Sequence, residues 1–561
     1  MNARTPQIRL LLEILLLSAI CYFFFFYGLA AFGLVGADEP RYAQVAREMF
    51  QRHDWVTPTL YGNVWLEKPV LYYWGAILSY KILGVSDWAA RLPGSVFATA
   101  MVAFIYFWAR RFRNGAQLDA MVITATSAFV FAFARAASMD IQLVAPLTIG
   151  LIAWWTFYET AERRWLALFY ASIAIGTLGK GPVSAVLAVI IILTFLALRR
   201  DWPAILATLW IPGLLTFFVI ALPWYVAVQH ANPGFFREFF IQHNLDRFAT
   251  NRFQHRQPVW YYIPVLLGAT VPWALFVAVA LWRGVKSIRE SEENALPGFL
   301  SLWVLLPFVF FSFSQSKLPG YVLPSVAPCG LLVALYLRDL AKATTARPSA
   351  ILVALHALLS GAVLSTVLIV PYKLYRMPVP ATVLEIAIPL ALIVAFSVAF
   401  FVFVRSYAAL RIATLLPLVI SLAFVLKAVG PVIDATQSTR PVAARISSSY
   451  AASEPVMLFD VPRQVEYGLA FYLDRPLPAS PPDEVVKFGT AAAGNESRAK
   501  TLKDISNTLP PTHGNYLIVL RTGDVERFAA TIPPNYQIEP FFRFQPQKLD
   551  LYHLRDVGSP R

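Results

Sequence analysis

Charged side chains are scarce in this chain, and those that could do chemistry fall in short stretches between apolar runs. Asp38, Glu39, Arg41 and Tyr42 lie in Ala37-Asp-Glu-Pro-Arg-Tyr42, and Glu67 and Lys68 in Trp65-Leu-Glu-Lys-Pro69. Asp140 ends Ala134-Arg-Ala-Ala-Ser-Met-Asp140, and Lys180 sits in Leu178-Gly-Lys-Gly-Pro182. His243 and Arg247 belong to the Phe-rich segment from Phe235 to Phe248, and Lys317 to Ser314-Gln-Ser-Lys-Leu-Pro-Gly-Tyr321. Fixed cations at Arg41, Lys68, Lys180 and Arg247, among the carboxylates Asp38, Glu39, Glu67 and Asp140, suit an anionic headgroup. Phosphate on a lipid is the natural candidate. If a group is transferred from that phosphate, Lys and Arg stabilise the charge that develops on it as it leaves.

Each residue also has a bland explanation. Asp38 would cap a helix, Lys180 and Lys317 would snorkel to lipid headgroups, Glu67 and Lys68 would form a surface pair of small energetic weight, and His243 would hydrogen-bond at an interface. Gly176-Thr-Leu-Gly-Lys-Gly181 is not a phosphate loop, because its glycine spacing is wrong and no strand precedes it. What favours a shared cavity is that all these stretches fall on one side of the membrane once the spans are drawn. Ionisable residues at helix ends usually line something polar.

The elements that must position them are helices in a bilayer. The 561 residues are 58% hydrophobic and only 14% charged, against about 25% charged in soluble domains. Runs long enough to span, roughly 17–25 residues, occur about thirteen times: 10–35, 89–109, 118–134, 141–158, 165–179, 183–198, 205–228, 259–282, 296–313, 321–337, 349–370, 381–404 and 412–430. The first run is too long for a signal-peptide core and reads as an uncleaved helix. Cys21 and Cys329 lie inside apolar runs, so neither a disulfide framework nor a thiolate zinc cluster is expected.

The net charge of +14 is a topology signal rather than a nucleic-acid one. With the N-terminus cytoplasmic, seventeen Lys and Arg fall in cytoplasmic connections and five in short connections opposite, as the positive-inside rule expects. The connections 36–88 and 229–258 and the tail 431–561 then lie outside the cytoplasm. Tyr42, Val45, Ala46, Met49 and Phe50 share one face of a helix, read as lying on the membrane surface with Pro40 in its first position. In the tail, Val456–Phe459, Leu469–Leu473 and Tyr516–Leu520 read as strands and 501–508 and 523–530 as helices, so a small α/β domain follows a transmembrane domain 1–430. There is no internal repeat.

Together, Ala37-Asp-Glu-Pro-Arg-Tyr-Ala-Gln-Val-Ala-Arg-Glu-Met49, Asp54-Trp-Val-Thr-Pro58, Glu67-Lys-Pro69, Ala89-Ala-Arg-Leu-Pro93, Lys180-Gly-Pro182 and Ser316-Lys-Leu-Pro319 closely resemble the bacterial lipid A aminoarabinose transferases. These are polytopic glycosyltransferases of the GT-C type, related to protein O-mannosyltransferases. The resemblance is strong over roughly 35–330 and weaker in the tail. It implies a thirteen-helix inner-membrane enzyme with a small periplasmic α/β domain. Such an enzyme moves 4-amino-4-deoxy-L-arabinose, or a related amino sugar, from undecaprenyl phosphate to lipid A phosphate, which confers polymyxin resistance.

Carried over by position, the resemblance puts catalytic roles on Asp38, Glu39 and Asp140, and carrier-phosphate contacts on Arg41, Tyr42, Lys68, Lys180 and Arg247, with Lys317 beside them. It also implies a zinc ion held by Glu67 and His243. Trp65 stands where the family often has a tyrosine. The implied partners are the lipid-linked sugar donor, lipid A and membrane lipids, with no nucleic acid and a monomeric chain. The nearest rival is another polyprenyl-phosphate-sugar transferase, such as one resembling the protein O-mannosyltransferases. A lipid-sugar transporter would show repeated halves.

Cysteines placed at 68 and 180 are expected to react with an impermeant maleimide added from the outer face of spheroplasts. Labelling from the cytosolic face alone would overturn the orientation.

Overall fold

A computed structural model describes residues 4–246, 257–289, 295–342, 407–449, 456–473, 516–530 and 536–556, with isolated positions near 349–359, 487–488 and 532. The expected span 381–404, most of 349–370, the expected helix 501–508 and Arg247 lie outside the described residues. Among those described, seven helices are long and apolar enough to cross a membrane, and two bent pairs bring the number to nine. The chain is a polytopic helical membrane protein. The helices bury Leu, Ile, Val, Trp and Ala against one another and turn Leu12, Leu206, Ile211, Val219 and Phe313 outward.

Two spans that read as straight in the sequence are broken. Gln117–Thr126 and Ala128–Ala134 meet at 65°, and Val259–Ala269 and Ala274–Lys286 at 116°. The breaks face each other. Ala128 N donates to Val271 O at 2.9 Å, and Trp273 Nε1 donates to Thr126 Oγ1 at 2.9 Å. In lipid no water can satisfy freed backbone groups, so each interrupted helix supplies partners for the other.

The connection after the first helix is an ordered layer. It comprises the helices Asp38–Gln51 and Leu71–Leu83, joined through a two-strand hairpin, Thr59–Leu60 with Asn63–Val64. Its turn holds Tyr61 at φ 56° and Gly62 at φ 73°, the two positive values a tight hairpin turn needs. Buried Glu48 organises it by accepting from Tyr61 N at 2.7 Å, Gly62 N at 3.1 Å and Thr59 Oγ1 at 2.8 Å.

The Asp38–Gln51 helix is not the one-sided amphipathic helix that its apolar stripe suggests. It is buried on most sides, packed against Leu71–Leu83 and against a helix of the tail. Pro40 occupies its third position, and Ala37 precedes it with no side-chain cap, so Asp38 is not the capping residue.

One buried ion pair fixes this layer. Arg91 Nε and Nη2 meet Glu39 Oε1 and Oε2 at 3.0 and 2.7 Å. The same carboxylate accepts from Val35 N and Ala137 N, both at 2.8 Å. Arg91 also donates to Leu29 O, Phe32 O and Gly33 O.

The tail is a mixed five-stranded sheet in the order Lys487–Phe488, Val456–Phe459, Tyr516–Arg521, Leu549–Asp556, Tyr536–Phe544. The first three strands are parallel, and the last two join antiparallel. The strand expected at Leu469–Leu473 is instead part of the helix Arg463–Tyr472. Val465 and Leu469 face the sheet core, while Tyr467 and Phe471 face the layer around Asp38–Gln51. Two i, i+4 pairs on different faces make a helix buried on both sides.

The Glu39→Gln change leaves Arg91 a buried charge without its counter-ion. Removing one partner of such a pair costs about 3–5 kcal/mol, so a clear fall in thermal unfolding temperature of the detergent-solubilised protein is expected. Stability equal to wild type would remove Glu39 from this role.

Candidate active site

Three groups of side chains carry the residues singled out in the sequence, and the start of the Asp38–Gln51 helix holds the first. Arg41 stands at the centre, its Nη2 at 2.7 Å from Asp38 Oδ1 and 3.2 Å from the Tyr42 hydroxyl, and its Nη1 at 3.4 Å from Glu67 Oε2. Lys68 Nζ approaches Glu67 Oε1 at 3.4 Å. Arg41, Glu67 and Lys68 are nearly buried, whereas the Asp38 side chain is 64% exposed. Burial opposes the charge on Arg41, but Tyr42, Glu67 and Asp38 outweigh it and hold the guanidinium above its ordinary value.

The second group is built at the head of the helix Asp140–Thr160 and the end of Arg163–Lys180. Lys180 pairs with Asp140, and its ammonium lies 5.6 Å from the centre of the Tyr321 ring. The loop bearing Lys317 comes close because Gly320 has no side chain: a Cβ there would stand 2.9 Å from Phe133 and 3.1 Å from Asp140 Oδ1. Lys317 is buried, and its Nζ donates to Ser314 O at 2.7 Å. The Glu39 carboxylate links the two groups, since it holds Ala137 three residues before Asp140.

The third group is the segment Arg237–Asp246, which carries His243. Its Glu238 lies beside Leu66 and Glu67, and burial first, then the Glu67 charge, raises its carboxyl pKa. Arg247 lies outside the described residues.

Three buried donors in the first group lack an acceptor. Arg41 Nε, Trp65 Nε1 and the Tyr73 hydroxyl have no hydrogen-bond partner among the described residues. The Arg41 guanidinium lies 5.4 Å from the Trp65 ring. The Tyr73 hydroxyl feels the charges of Glu67, Arg41 and Asp38. Nearly all buried polar groups are paired in native structures, so a cluster of orphaned donors beside two cations fits an oxyanion.

The site fits a metal poorly. Glu67 is engaged by Arg41 and Lys68, and among the described residues no group of three or more His, Cys, Asp or Glu side chains converges.

The structure therefore brings Asp38, Arg41, Tyr42, Glu67 and Lys68 together, pairs Asp140 with Lys180 in a second group, and turns the Lys317 ammonium to Ser314 O. It engages every oxygen of Glu39 in the clamp. Reading the sequence did not single out Tyr73, Glu238, Tyr321 or Tyr467, whose ring lies 5.8 Å from the Arg41 guanidinium.

The structure superposes on the crystal structure of ArnT from Cupriavidus metallidurans bound to undecaprenyl phosphate with a TM-score of 0.79, over 98% of this chain and 99% of that one, at 20% identity. The apo state of the same protein gives a TM-score of 0.75 over 98% and 99% of the two chains, at 22% identity. This is the GT-C fold.

The sequence comparisons point the same way. A profile of the family described as dolichyl-phosphate-mannose-protein mannosyltransferase matches residues 67–226. The chain is similar to the undecaprenyl phosphate-alpha-4-amino-4-deoxy-L-arabinose arabinosyl transferase of Yersinia enterocolitica, 33% identical over 314 residues, which are 54% of this chain and 55% of that one. It is equally similar to that of Serratia proteamaculans, at 33% over 310 residues, 54% and 55%. The matched region spans about half the length of these curated relatives. The resemblance read from the sequence is borne out.

Proposed function

We propose that this GT-C protein transfers 4-amino-4-deoxy-L-arabinose, or a related amino sugar, from undecaprenyl phosphate to a phosphate of lipid A on the periplasmic face of a bacterial inner membrane. The observation that carries the reading is the trio of buried donors, Arg41 Nε, Trp65 Nε1 and the Tyr73 hydroxyl, without acceptors beside Lys68 and Glu67. Such a pocket suits the head of a phosphorylated lipid. The names of the relatives and the ligand of the solved ArnT supply the carrier and the sugar.

In this reading the bond between the anomeric carbon and the carrier phosphate oxygen breaks, and its electron pair stays on the phosphate. Arg41, Lys68 and the Trp65 indole N–H receive that charge, with Tyr42 and Lys180 completing the pocket. An oxygen of the lipid A phosphate forms the new bond at the same carbon. A phosphate monoester is mostly ionised near neutral pH, its second pKa being about 6, so no strong base is needed. Exposed Asp38 faces the positive charge that builds on the sugar ring. Asp140 holds Lys180, and Glu39 positions both Asp38 and Asp140 without touching the reactants.

The division into a transmembrane domain 1–430 and a tail 431–561, a cytoplasmic N-terminus and a periplasmic tail complete the proposal. They are supported by the seventeen-to-five distribution of basic residues. Adding a cationic sugar lowers the negative charge of lipid A and hence its attraction for polymyxin. A mannosyltransferase-like acceptor is the second reading, favoured by the profile matched at 67–226. Lipid A mass spectra from cells with and without the gene separate the two.

Asp38→Asn is expected to lower transfer by about 10²-fold or more at unchanged expression, measured as modified lipid A in membranes. Turnover equal to wild type would remove Asp38 from the mechanism. Lys68→Ala loses one charge-assisted contact and is expected to weaken undecaprenyl phosphate binding about 10- to 100-fold. Unchanged affinity would leave Lys68 as a mere surface anchor.

A further inference from the structure

The Arg41 guanidinium lies among three aromatic rings: Tyr42 at 4.9 Å, Trp65 at 5.4 Å and Tyr467 at 5.8 Å. The first two belong to the layer that carries Arg41. The third comes from the tail, more than four hundred residues later. Its presence is built into the packing. Tyr467 is buried and stacks on Tyr61 with ring centres 6.3 Å apart.

The helix bearing Tyr467 is fixed at its far end by Arg47 Nη1, which donates to Phe471 O at 2.8 Å, and by the Tyr472 hydroxyl, which accepts from Leu34 N at 2.6 Å and donates to Asp87. Arg440 reinforces the joint, 2.9 Å from both Asp87 and Asp434. The Arg463–Tyr472 helix thus runs beside Asp38–Gln51 in one register, with Tyr467 against Arg41 and Phe471 against Arg47.

We propose that Tyr467 is a positioning residue for Arg41: the tail lends the site an aromatic wall that shields the guanidinium from solvent and aims it at its anionic ligand. A long Arg side chain has many rotamers, and a ring over its face removes most of them. A desolvated ring–cation contact is also stronger than an exposed one. The proposal rests on the reading of Arg41 as an anion contact, and it assigns the shielding to the ring, although the Tyr467 hydroxyl also reaches the guanidinium.

The test uses the full chain in lipid nanodiscs, with Tyr467→Leu and Tyr467→Phe beside the wild type. The first readout is the rate at which phenylglyoxal modifies Arg41, followed by peptide mass spectrometry. The second is affinity for undecaprenyl phosphate. Tyr467→Leu is expected to speed modification of Arg41 several-fold and weaken carrier binding about 3- to 30-fold, while Tyr467→Phe stays close to wild type in both. Rescue by Phe separates positioning from a general loss of stability, which thermal unfolding of each variant records.

Arg41 reactivity in Tyr467→Leu equal to wild type would overturn the inference, as would a Phe variant that behaves like Leu. If the wild type itself fails to retain undecaprenyl phosphate, the functional reading falls. The reactivity of Arg41 then decides the inference alone.

Discussion

Glu39 and Arg91 form the contact on which the rest of this molecule depends. Two charges taken out of water are stable only when nearly every donor and acceptor on them is satisfied. Here the carboxylate accepts four hydrogen bonds, and the guanidinium adds three backbone carbonyls to its two carboxylate contacts. The cost of burial is offset by joining parts that no apolar contact could place so narrowly: the exit of the first helix, the start of Asp38–Gln51, the helix Asp87–Phe112 and the turn before Asp140. Lipid gives helices little hydrophobic reason to choose one partner over another. Polar clamps at their ends supply the choice.

The site is consequently a product of layers. The Glu39 clamp sets Asp38 and Arg41 on one side and Asp140 on the other, and the hairpin organised by Glu48 leads into Trp65, Glu67 and Lys68. Gly320 lets a third segment approach Asp140. Carboxylates interleave with cations, so positive charge is held ready at the pocket without repelling itself. An anion arriving there would compete with Asp38 and Glu67 for Arg41.

The sequence revealed much of this because bilayers impose a simple rule on spans. Apolar length marked the helices among the described residues, although 165–179 and 183–198 form the helices Arg163–Lys180 and Val183–Arg199, which are outside the nine long and apolar enough to cross; charged stretches between the runs drew attention to Asp38, Glu67, Lys68, Asp140, Lys180 and Lys317. What escaped has physical reasons. The breaks at Ser127 and at Val271–Trp273 are tolerated only because each serves the other, a tertiary fact with no local signal. The helix Asp38–Gln51 was read as half-exposed because its second face meets Tyr467 and Phe471, far along the chain. Leu469–Leu473 was read as a strand because an apolar run five residues long has no visible period, although Val465/Leu469 and Tyr467/Phe471 in fact serve two faces of one helix. Tyr73 and Glu238 carry nothing in their immediate sequence to set them apart.

The joint between Asp87, Arg440 and Tyr472 has a consequence for biogenesis. Among the described residues, those around the Arg41 guanidinium other than Tyr467 have been synthesised once the second helix of the outer layer is made, yet the cage stays open until the ribosome reaches the last fifth of the sequence. A nascent chain with most of its spans already inserted therefore holds an unfinished pocket. Assembly of the late domain therefore completes the surroundings of Arg41 last.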